Sequence, residues 1–188
     1  MVSTLAEKFG VMKLNKIHQR RLLMNALTLV LRLIHILGGV FWVGAAWMMT
    51  LYIAPSVGAT GDSGLQFMRH MMGKTNLQKM LIVSSVSTVI AGTILYVRNP
   101  PAWFGSNAGI GFGIGAFFAF IGFVFGMLIS RNNTAMMQLG AQIKGQPTSE
   151  QIAQLQLFQK RQRTFSTINI YALLVAVVFM AISRYLFI

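Results

Sequence analysis

The stretch from Leu33 to Ala54, LIHILGGVFWVGAAWMMTLYIA, carries no formal charge and a single histidine. At about 1.5 Å per helical residue it is roughly long enough to cross a hydrocarbon core of about 30 Å. Arg32 precedes it and Pro55 follows it. His35, Gly38, Gly39, Trp42, Ala46 and Met49 recur at helical spacing and therefore share one face. That face has a glycine notch beside an imidazole and an indole one turn further on. A helix facing only lipid needs neither.

Composition extends this to the whole chain. Of 188 residues, 55% are hydrophobic and 10% charged, with mean hydropathy +0.62. A soluble domain of this size needs more charge to coat its surface. The reading is one all-α membrane domain, a four-helix transmembrane bundle, multi-pass and set in the bacterial inner membrane. There is no cysteine, which excludes disulfides, thiolate metal sites and thiol catalysis. The formal charge is +13. The cations cluster outside the apolar segments, so the balance points to anionic lipid headgroups or other membrane protein subunits with acidic surfaces, and not to nucleic acid.

Residues 1–31 interleave Lys8, Lys13, Lys16, Arg20 and Arg21 with Leu5, Phe9, Met12, Ile17 and Leu22. This predicts a basic amphipathic helix on the membrane surface, ahead of a membrane domain over 32–188. A cleavable signal has a shorter charged region than this. Spans are expected at about 33–54, 80–97, 108–129 and 165–182. Pro55 to Asp62 reads as a turn. Ser63 to Lys79 reads as a polar helix running on into the second span. Ser84, Ser87, Thr88, Ala91, Gly92 and Leu95 lie along one side of that span, which lets a neighbouring helix approach closely. In the third span Gly111, Gly115, Ala119, Gly122 and Gly126 form a small-residue seam. It serves dimerisation or, the reading preferred here, packing within the chain. Gly145-Gln146-Pro147 reads as a turn and Thr148-Ser149-Glu150 as a helix start. Basic residues fall on both sides of the spans, so the positive-inside rule gives no orientation.

The three acids, Glu7, Asp62 and Glu150, lie outside these spans. Proton-coupled transport usually needs an intramembrane acid, and paired-carboxylate hydrolysis needs two. His35 is the ionisable side chain well inside a span. It is either an axial ligand to a b-type haem, with Gly38 and Gly39 giving the ring edge space, or a neutral imidazole bonded to a neighbouring span. The second-ligand candidates are poorly placed: His70 falls toward the opposite side and His18 in the surface helix. Met68, His70, Met71 and Met72 form a local cluster with thioether and imidazole donors suited to Cu(I). The competing reading is that methionines fill gaps between helices.

The run Arg32-Leu33-Ile34-His35-Ile36-Leu37-Gly38-Gly39-Val40-Phe41-Trp42-Val43-Gly44 resembles the first-span signature of copper-resistance-D-like integral membrane proteins. Phe179 to Leu186 resembles the end of a four-span branch of that grouping. The resemblance covers roughly 32–186. The wider grouping is similar to membrane-integral protoporphyrinogen oxidases, in which a first-span histidine takes part in haem binding. His35 matches that histidine, and Arg69 to Lys74 lies in the region comparable to the family's lysine-bearing element. The residues together predict a non-catalytic accessory subunit of a membrane complex, with a haem protein or a copper-handling protein as alternatives.

Overall fold

The computed structural model describes residues 2–143 and 145–186, with side chains from residue 15 onward. Lys8 and Lys13 of the basic N-terminal segment, as side chains, and Lys144 lie outside the described residues. The described chain is all-helical: α1 (Val2–Met48), a π-helical segment (Met49–Ile53), α2 (Ala54–Gly73), α3 (Leu77–Val97), α4 (Asn107–Gln142) and α5 (Ser149–Ile182). Short 3-10 turns cover Pro101–Gly105 and Ser183–Tyr185. Four helical segments are long and apolar enough to cross a membrane, so this is a multi-pass membrane protein.

The first of those segments, Asn15–Gly73, has 59 residues, about 88 Å if straight. It therefore cannot lie wholly within a core of about 30 Å. Its partner shows which part does. α1 and α3 are antiparallel, with Met24 level with Arg98, His35 against Thr88 and Gly38 against Ser84 and Thr88. α3 has 21 residues, about 31 Å, so the part of α1 alongside it is roughly 25–46. Of the expected first span at 33–54, residues 33–46 therefore lie alongside α3 and the rest runs past its first residue. No break in the helix marks the boundary expected at residue 31, because α1 continues through it.

Beyond the membrane, α1 passes through the π-helical segment into α2. Pro55 does not break the helix: it directly follows the π-helical segment, where Ala54 N bonds back to Met49 O, and such a local π adjustment accommodates a proline's missing N–H. The chain reverses at Gly61, whose φ of 57° and ψ of −128° are non-helical. A Cβ on Gly64 would stand 2.8 Å from Val57 Cα, a distance only a folded-back chain allows. The expected turn at 55–62 is thus confined to its last residues. A second correction lies at Lys74 to Asn76, where a turn separates α2 from α3. The expected continuous helix from Ser63 into the second span is absent.

The returning arm of α2 runs beside α4, with Met137 Cε 3.0 Å from a Cβ built on Gly73. α4 and α5 also extend past the membrane on this side, to Gln142 and from Ser149. The start of α5 carries a capping box: Thr148 Oγ1 accepts from Gln151 N at 3.3 Å, and Gln151 Oε1 accepts from Thr148 N at 3.0 Å. On the opposite side Tyr96, Trp103, Phe104 and Phe112 form an aromatic cluster, as suits the headgroup level.

The α4 seam packs within the chain. A Cβ on Gly122 would meet Leu173 Cδ2 at 2.6 Å, and one on Gly111 would meet Ser183 Cα at 3.1 Å. Gly115 faces the Ala176 carbonyl and Met180, and Gly126 faces Asn169 and Trp42. Ala119 lies between these positions and is half-buried. Leu173 is 1% exposed and has nowhere to move. Gly122→Val is expected to lower stability by about 1–3 kcal/mol through overpacking, read as a lower unfolding temperature in detergent. Gly44→Ala, where a Cβ meets nothing within 4 Å, is expected to leave it unchanged.

Candidate functional site

The face of α1 singled out above meets α3 at His35. A carbonyl oxygen only accepts, so the 2.8 Å contact between His35 Nδ1 and the Thr88 carbonyl places a proton on Nδ1. The ring lies on Gly92: a Cβ there would stand 2.5 Å from His35 Cε1 and 2.7 Å from Nδ1. Gly92 is therefore the notch that admits the imidazole. One turn along α1, Gly38 gives matching room to Thr88, whose Oγ1 lies 2.6 Å from a Cβ built on Gly38. Gly39 faces the Thr88 methyl at 3.5 Å. Thr88 Oγ1 is buried and has no hydrogen-bond partner among the described residues.

The level of His35 follows from this register. Thr88 and Gly92 sit just past the midpoint of α3, so the imidazole lies near the middle of the bilayer rather than toward one face. Trp42, two turns on, is 5% exposed and meets Phe123 edge to face at 6.3 Å. It joins α1 to α4.

Haem imposes two requirements on this site. A histidine ligand commonly donates its second nitrogen to a carbonyl or carboxylate, which leaves the other nitrogen's lone pair for the metal. His35 meets that requirement: Nδ1 is engaged and Nε2 has no hydrogen-bond partner among the described residues. The second requirement is room for the macrocycle beside Nε2. The Cε1–Nδ1 edge of the imidazole is seated on the α3 backbone at Gly92, and the side chain as a whole is half-buried. No second histidine reaches it. His18 is about 25 Å back along the same helix, and His70 is exposed on the returning arm of α2.

The proposed copper cluster is divided by helix geometry. Met68, Met71 and Met72 are half-buried and share one face at steps of three and four. His70 is exposed and lies about 200° around the helix from Met68. Among the described residues no group of three or more His, Cys, Asp or Glu is positioned to hold a metal ion.

Two buried asparagines have no local signature in the sequence. Asn169, 3% exposed, donates to the Gly122 carbonyl at 2.6 Å. Asn132, 7% exposed, donates to the Phe158 carbonyl and to Gln162 Oε1, each at 3.0 Å. Both clasp α4 to α5. Spacing does not mark them: at about 100° per residue Asn132 lies about 80° around α4 from Gly122. Comparison with family models, curated proteins and solved structures finds no match for this chain.

The orphan hydroxyl gives a direct check on this packing. Thr88→Val keeps the shape and removes an unsatisfied polar atom, so it is expected to be neutral or to stabilise by about 1 kcal/mol. His35→Ala removes the interhelix bond and leaves a void over Gly92, with an expected loss of about 2–4 kcal/mol. Unfolding temperatures of the two variants in one detergent measure the difference.

Proposed function

We propose that this protein is a non-catalytic accessory or scaffold subunit of a larger membrane complex, seated in a bacterial inner membrane. The observation that carries the reading is the basic helical projection beyond the membrane. Arg69, Lys74, Arg131, Lys160, Arg161 and Arg163 are all exposed on that side. Three acids in the whole chain stand against sixteen Lys and Arg. A surface so charged is matched by an acidic protein partner or an anionic membrane. The interior supports the same reading. The main glycine notches are filled by the chain's own Thr88, His35, Leu173 and Ser183, and the intramembrane imidazole serves as a helix clasp.

Extraction in a mild nonionic detergent is expected to retain stoichiometric partner chains, released by raised salt. Lys160→Glu with Arg161→Glu is expected to release them at low salt. A native protein that purifies alone at low salt, as a single stable chain, overturns the proposal.

A second reading, a b-type haem protein, rests on the lone pair of His35 Nε2 and on the resemblance of the first span to copper-resistance-D-like proteins. A Soret band in the purified native protein, lost in His35→Ala, is the result this reading expects. Protein extracted from haem-replete cells with no such band rules it out.

A further inference from the structure

One open groove belongs to neither reading. It runs between α1 and α3, has a volume of about 690 Å³, and is lined by Ile34, Gly38 and Phe41 on one wall and Val83, Ser84 and Ser87 on the other. Asn76 and Lys79 stand at one end. Leu37 and Val83 on its walls are 66% and 67% exposed, so it opens outward to lipid.

Its length identifies the occupant. From Lys79 to Ser87 is eight residues of α3, about 12 Å, close to the depth of one leaflet in a core of about 30 Å. The outer end lies at the headgroup level of the basic face, and the inner end stops near the bilayer midplane. There His35 closes α1 onto α3 through the Thr88 carbonyl. A partner's spanning helix needs a groove running the full thickness of the core, and this one ends halfway. An acyl chain needs only the half.

The charge at the mouth completes the match. Lys79 is exposed and has no acidic partner among the described residues. The Asn76 amide stands beside the groove as a neutral donor. A lysine ammonium is a compact point charge that pairs with a phosphate or other anionic headgroup. We infer that the α1–α3 groove is a binding site for one anionic phospholipid, with an acyl chain between Phe41 and Val83 and the headgroup held by Lys79 and Asn76. The inference is independent of the accessory-subunit reading, because it concerns the lipid-facing side of the bundle and not the basic projection.

Native mass spectrometry of the delipidated full chain in detergent tests it, with phosphatidylglycerol and phosphatidylcholine as separate titrants. The wild type is expected to retain one phosphatidylglycerol with about fivefold preference over phosphatidylcholine. Lys79→Gln is expected to abolish that preference and Lys79→Arg to keep it. Ser87→Phe fills the inner end and is expected to weaken binding of both lipids severalfold. A wild type that binds the two lipids equally overturns the inference, as does a Lys79→Gln variant that keeps the preference. So does photocrosslinking from a benzoylphenylalanine at position 83, in native membranes, that captures a protein chain instead of lipid. Lys79 is exposed, so its variants are expected to match the wild type in circular dichroism; if Ser87→Phe does not, the lysine pair decides alone.

Discussion

The structure depends on helix backbones approaching one another where lipid offers no apolar driving force. Lipid tails are as apolar as leucine, so association in a membrane rests on close packing and interhelix hydrogen bonds. This chain uses both at the same points. Gly92 lets His35 reach α3, and the imidazole then donates to the Thr88 carbonyl. Gly122 admits Leu173, and Asn169 donates to the carbonyl of that same glycine. In each case the missing Cβ brings a backbone acceptor within reach of a polar side chain from the facing helix. The two hairpins, α1 with α3 and α4 with α5, are each held by such a pair. Trp42 against Phe123 and Gln78 Nε2 donating to Ser130 Oγ at 3.0 Å link the hairpins to each other.

Much of this was legible in the sequence, for a physical reason. Helical period is a local property, so the seam from Gly111 to Gly126 and the small face of α3 could be read from spacing alone. The depth of the first span is not local. Apolar residues run with few interruptions from Leu22 to Ala54, and hydropathy cannot choose a window within them. The antiparallel contacts with α3 make that choice. Pro55 misled because a proline breaks most helices and yet is tolerated where a π-helical segment precedes it. Gly61 could not be distinguished from Gly58 without knowing which one takes the positive φ. Helical spacing singles out His35 locally, but its seat on Gly92, 57 residues away in the chain, is not local.

The same register gives the membrane its position. Lys79 and Arg98 bracket the apolar part of α3, and Arg163 and Arg184 that of α5; each pair is separated by about 30 Å of helix. α4 runs from the Ser106 cap, which accepts from Gly109 N at 3.1 Å, to Arg131. These limits define one slab, and α4 and α5 continue beyond it on the side where α2 folds back. The aromatic cluster around Trp103 lies at the other face. The projection is therefore a continuation of the bundle with its own buried clasp at Asn132, not a loose loop.

Arg32 fits this slab only because of which way it points. It is exposed to lipid, one turn from His35, and about two turns inside the level of Met24. A cation at mid-bilayer costs on the order of 3 kcal/mol or more. Side chains on a helix lean toward its N-terminus, which for α1 is the face nearer Arg98. The long stem of Arg32 can therefore lie along the apolar surface and carry the guanidinium toward the headgroups. Sliding α1 by one turn toward the basic projection would bury that charge and pull His35 off Gly92 together. The lipid-facing cation and the protein-facing imidazole thus oppose the same displacement, one by solvation and the other by steric fit.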